Sequence, residues 1–266
     1  MIRNLIALAG ILALLTGCAA DSASPSAAGD ASPAQAAENP APAWASLTPE
    51  DLPGETEDLS SFFAKSSPAV CLLGTAEEAD VALYGLNPGY GGGILLRDGD
   101  TLTHFDQAFS ALSLPDLWWA DFDEDGGEEL AVRFLTEQDD QGGCAYDLAF
   151  YHPSPAGWEL CSVSRDNCAQ LLLTEIETDW DSRTLQLTVA WADRQASCSL
   201  PESTDSDPLI LGHTCLFVEE SGHFSVILDA WVPALSASLA VFRAEILYDG
   251  NSFRFQNIRM ESDPGV

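Results

Sequence analysis

The chain has 266 residues, with 42 acidic side chains against 10 basic ones and a formal net charge of −32. A surface of that sign repels phosphate backbones and anionic lipid head groups, which excludes nucleic acid as a natural partner and disfavours direct adsorption to an anionic bilayer. It reads either as a solubilising coat on an exported protein or as a surface that attracts cations or suits growth in high salt.

Met1-Ile2-Arg3-Asn4 carries one positive charge ahead of an apolar run from Leu5 to Leu15, which is too short to be a comfortable bilayer span. Leu15-Thr16-Gly17-Cys18 follows. This resembles the lipobox of bacterial lipoproteins, so residues 1–18 read as signal peptide and lipobox. The resemblance implies cleavage before Cys18, lipidation of its thiol, and a protein anchored by lipid to the extracytoplasmic face of the cell membrane. Each buried methylene contributes about 0.8 kcal/mol, so more than one acyl chain anchors stably without a spanning helix. An ordinary secretory signal containing a cysteine is the alternative.

Residues 19–58 are rich in Ala, Ser, Pro, Asp and Glu and include eight acids but no Lys or Arg. With no period of 2 or 3.6 to bury a face, they read as a disordered acidic tether. Trp44 is the odd residue in it, and Thr48-Pro49 could cap a short helical turn. The remainder, residues 59–266, is long enough for a single β-rich extracytoplasmic domain.

In that domain the apolar runs are short and turn signals separate them. Strands are expected at 69–74, 81–86, 94–97, 101–105, 117–120, 130–135, 145–151, 158–163, 185–191, 197–200, 214–218, 224–228, 238–248 and 253–258. Residues 166–176 are the best helix candidate, with Leu171, Leu172 and Ile176 apolar. Glu219-Glu220-Ser221-Gly222 and Asp249-Gly250-Asn251 are hairpin signals. The fold class expected is mainly β: antiparallel sheets built of hairpins, sandwich-like or partial propeller-like, with one or two short helices. Gly89-Tyr90-Gly91-Gly92-Gly93 lacks the Lys-Ser/Thr of a phosphate loop and reads as a turn into a strand.

One stretch carries chemistry. Asp121-Phe122-Asp123-Glu124-Asp125-Gly126-Gly127-Glu128-Glu129-Leu130 places carboxylates at positions 1, 3, 5 and 9, with glycine at 6 where the backbone must turn left-handed. That spacing suits a hard cation needing six to eight oxygens. An acidic surface turn is the alternative. Position 12 is Val132, so the loop is not an EF-hand. It resembles the Asp-x-Asp-x-Asp-Gly-x-x-Asp/Glu-Leu calcium loop of FG-GAP and VCBS-type repeats, which joins two strands. The resemblance implies Ca²⁺ held by Asp121, Asp123, Asp125, the Gly127 carbonyl and Glu129. Glu124 stands where that family commonly has glycine, and one such loop is present.

Six cysteines besides Cys18, at 71, 144, 161, 168, 198 and 215, are even in number, and at least one disulfide is expected, Cys161 with Cys168 being close in sequence. None forms a C-x-x-C, no G-x-S-x-G or H-E-x-x-H occurs, and His104, His152, His213 and His223 are scattered. No catalytic residue can be named. The expectation is a calcium-stabilised surface lipoprotein that binds a protein or glycan partner without catalysis. The alternative is an extracytoplasmic hydrolase with a structural calcium ion.

Overall fold

A computed structural model describes residues 43–55, 59–62, 69–110, 113–201 and 207–262. All belong to one compact unit, Ala41–Val266. The signal, Cys18 and the tether up to residue 42 lie outside the described residues, as does most of the polar stretch between 201 and 208.

The first sheet is a four-stranded antiparallel meander: β1 (Val70–Ala76), β2 (Val81–Leu86), β3 (Ile94–Asp98) and β4 (Thr101–Phe105). Asp98 pairs with Thr101, leaving Gly99-Asp100 as a two-residue hairpin loop. All six residues of β2 are buried. Alternation alone would leave every second one in water, so both faces of this sheet must be covered. The inner face (Leu73, Leu83, Ile94, Leu96) packs on the next layer. Trp44, Leu47 and Leu52 pack over the outer face (Leu72, Ala82, Tyr84, Leu95). Residues 43–55 therefore belong to the folded unit, which corrects the tether boundary at residue 58. Composition placed them in the tether because three large apolar residues in thirteen give no period. The Thr48-Pro49 turn does form, as a 3₁₀ turn at Pro49–Asp51, with Thr48 N–H donating to Asp51 Oδ2 at 2.9 Å. A short helix, α1 (Leu59–Phe62), follows and buries Leu59 and Phe62.

The second sheet has eight strands. β5 (Asp116–Ala120), β6 (Glu129–Gln138), β7 (Cys144–Ser154) and β8 (Gly157–Val163) form successive antiparallel pairs. The helix α2 (Arg165–Leu173) follows, capped by Ser164, whose Oγ accepts the Asn167 N–H. Beyond it, β9 (Glu177–Asp181), β10 (Gln186–Trp191) and β11 (Arg194–Ser199) make a separate three-stranded sheet. β12 (Ile210–Glu220), β13 (His223–Val232), β14 (Ala237–Tyr248) and β15 (Phe253–Ser262) then rejoin the large sheet. The join is a single parallel pairing, Cys215 with Ala145, on the edge of β7 that β8 occupies further along. The sheet forks there, and α2 buries Cys168 and Leu172 against the core beside the fork.

The large sheet curls. β7 and β14 are separated by two strands, yet the rings of Phe150 and Tyr248 stack at 4.3 Å. β6 alternates between two cores: Leu130, Val132 and Phe134 face the first sheet, while Ala131 faces the curled interior with Leu148, Phe217, Phe242 and Leu187. The fold is thus mainly β and antiparallel with short helices, as expected, and its layers are a meander, a curled sheet and a small three-stranded sheet. β9 was not expected. Its acids Glu177, Asp179 and Asp181 alternate with Thr178 and Trp180, which reads as polar loop but suits an edge strand guarded by charge.

Cys144, Cys161, Cys168, Cys198 and Cys215 are not joined by disulfides, so the expected Cys161–Cys168 bridge does not form. Cys161 lies on β8 with its Sγ 3.4 Å from the Asn251 carbonyl, whereas Cys168 is buried in the core beside Cys215. Nearness in sequence does not bring them together, because the helix cap between them turns the chain from sheet to core.

Candidate metal centre

Ala120 and Glu129 are register partners, so residues 121–128 form the loop that closes the β5–β6 hairpin. One carboxylate oxygen from each of Asp121, Asp123, Asp125 and Glu129 can be chosen so that all lie within 4.8 Å of one another. Short-range bonds curl the chain to this shape. Asp123 Oδ1 accepts the Asp125 N–H at 3.1 Å, Asp121 Oδ2 the Gly126 N–H at 3.1 Å, and Asp125 Oδ1 the Gly127 N–H at 2.7 Å. Gly126 has φ of +93°, where an L side chain would be strained. Glu124 also has a positive φ, +61°, a conformation costing a non-glycine residue about 1–2 kcal/mol. Glu124 thus carries a backbone cost while the four carboxylates still converge. Phe122 turns the other way, with its ring 5.4 Å from both Phe150 and Phe224.

Glu129 is the unusual member. It is 3% exposed, at the start of β6. One oxygen accepts the Phe122 N–H at 2.7 Å; the other receives no hydrogen bond from a described residue. Burial, reinforced by repulsion from Asp123, Asp121 and Asp125, pushes its carboxyl up to about 7 against the lowering effect of the Phe122 N–H. Among the described residues no Arg, Lys or His forms an ion pair with any of the four acids. A buried carboxylate is costly unless a cation compensates it, and here the protein supplies none. The donor set is all oxygen, which fits a hard cation. The cluster could hold a metal ion.

No protein-family model, curated protein or solved structure matches the chain. Several other side chains of the described residues that could carry chemistry have structural partners. His104 stacks on Trp44 at 4.6 Å and its Nε2 lies 2.9 Å from the Gly92 carbonyl. His213, two positions before Cys215, lies between Asp139 at 2.7 Å and Asp229 at 3.8 Å and stacks on Trp231 at 4.2 Å. Cys215 is fully buried in the core. His152 has a hydroxyl neighbour, Tyr248, at 3.1 Å, but that phenol is 8% exposed and donates to the Gly250 carbonyl at 3.0 Å. Burial holds the Tyr248 hydroxyl above its ordinary range, so it is not poised as a nucleophile. Burial likewise raises the thiols of Cys144, Cys161 and Cys198 and keeps them protonated.

Two structural features, one of them away from the four acids, were missed from sequence. Asp229, 5% exposed, accepts the Thr214 N–H at 2.7 Å and the Ser238 hydroxyl at 2.9 Å. Its signal was one acid inside an apolar run, Val226-Ile227-Leu228-Asp229-Ala230. Gly250 was read only as a turn residue, yet its turn lies against Asp123.

Proposed function

We propose that the protein is a lipid-anchored surface protein of the extracytoplasmic face, whose β domain is stabilised by Ca²⁺ and serves to bind a protein or glycan partner without catalysis. The carrying observation is the buried, half-unbonded Glu129 carboxylate converging with Asp121, Asp123 and Asp125. Four acids around one point repel one another, and a divalent cation converts that repulsion into attraction. The Gly127 carbonyl is assigned as the further ligand by the resemblance to strand-joining calcium loops. The anchor rests on the lipobox-like Leu15-Thr16-Gly17-Cys18. No described helix is long and apolar enough to cross a membrane.

The ion's role is to fix the β5–β6 turn. Extracellular calcium modules bind at roughly 10⁻⁴ to 10⁻³ M. At ten times the dissociation constant, calcium adds about 1.4 kcal/mol. For a domain of this size that is a rise of roughly 3–5 °C in Tm. Titration of the chelated protein should give a saturable rise of this size, and Asp123→Ala with Asp125→Ala should remove it. A wild-type Tm indifferent to calcium would sink the proposal.

A further inference from the structure

We infer that the β14–β15 turn is the outer wall of the ion site, and that Gly250 is the positioning residue that leaves Asp123 room to ligate. This deepens the calcium reading and rests on it. The second observation that makes the cluster a site is Glu129, 97% buried with an oxygen that no described donor reaches.

The two oxygens of Asp123 have different tasks. Oδ1 is engaged within the loop by the Asp125 N–H. Oδ2 receives no hydrogen bond from a described residue and abuts the turn 127 residues further along the chain. A Cβ placed on Gly250 would lie 2.8 Å from that oxygen, a separation that real Cβ atoms essentially never show. One of the two must move. The turn is the less free partner. Asp249 Oδ1 accepts the Ser252 N–H at 2.8 Å and the Asn251 N–H at 3.2 Å, and the buried Tyr248 hydroxyl donates to the Gly250 carbonyl at 3.0 Å. The Asp123 carboxylate, at the end of a rotatable side chain, is the group that yields. Any side chain at 250 therefore turns a ligand away from the ion while the fold stays in place. By the same contact, an ion held by Asp123 ties the β5–β6 loop to the last hairpin of the chain.

Gly222 supplies a matched control. It too sits in a hairpin turn, with the same φ of +85°, but a Cβ there meets nothing within 4 Å. Gly250→Ala and Gly222→Ala carry the same backbone strain and differ in the contact with Asp123. In chelator the two variants should lose similar stability, read by thermal melting. With calcium, titrated calorimetrically, Gly222→Ala should bind like wild type and Gly250→Ala about tenfold or more weakly, the range for residues that orient ligands. Amide exchange at Asn251 and Ser252 should slow on adding calcium in wild type and not in Gly250→Ala. Equal affinity of the two variants would overturn the inference and leave the ion site standing. Failure of wild type to bind calcium would overturn both.

Discussion

At the scale of single residues, the carboxyl of Glu129 contributes a distinct pH dependence to the ion-free protein. Its folded value, about 7, lies above the ordinary value of 4.5 that it takes when unfolded. The folded chain thus holds a proton that the unfolded chain has released. The stabilisation is fully present below about pH 4.5 and is lost as pH rises through about 7. In chelator, urea denaturation should show wild type losing stability between pH 5 and 8, on the order of 2 kcal/mol more than Glu129→Gln does. Comparison with that variant separates Glu129 from Asp147 and Asp229, whose carboxyls burial also raises. Calcium reverses the sense, since ion and proton compete for the same oxygens, and calcium affinity should rise over the same pH range. The convergence of the four acids was legible because their spacing is local. Their burial was not, because it depends on Phe122 anchoring one side of the loop among Phe150 and Phe224.

At the scale of elements, hairpins were the most legible feature. The turn signals Ser221-Gly222 and Asp249-Gly250-Asn251, each set between β-rich runs, specify a strand pair from neighbouring residues alone. The segment 43–55 was illegible because its three apolar anchors acquire meaning only when the outer face of the first sheet lies beneath them. Trp44 also fits against Gly91, 3.3 Å from where a Cβ would sit, and stacks on His104. Burial of Trp44, Leu47 and Leu52, each only partial, contributes on the order of 1 kcal/mol apiece. A chain beginning at residue 43 should therefore melt like one that keeps the preceding tether. A chain beginning at residue 59 should lose about 3 kcal/mol, measurable by denaturant unfolding.

At the scale of the whole molecule, the charge of −32 acts everywhere at once, whereas the ion acts at one point. Self-repulsion of this size opposes compaction, and salt relieves it because the Debye length shrinks to about 10 Å at 0.1 M. Raising sodium chloride should lift Tm gradually and without saturation, in wild type and in the Asp123→Ala, Asp125→Ala double variant alike. Calcium at millimolar concentration should add its saturable rise to wild type only. Melting curves of both proteins in both salts separate general screening from site binding. Long-range ties also work at this scale: Arg133 joins Asp116 at 2.8 Å on β5 to the Phe217 carbonyl on β12, holding the curl of the large sheet.

The sequence by itself determined the mainly β class, most of the strands and hairpins, and the four acids that meet, since each is written in contacts between residues a few positions apart. Tertiary structure alone decided that the large sheet forks at β7 and curls, that residues 43–55 belong to the fold, and that Cys161 and Cys168 part company. It also set Gly250 against Asp123. Each of these depends on segments far apart in the chain sharing one surface, and no local period or turn signal encodes which distant face a residue will meet.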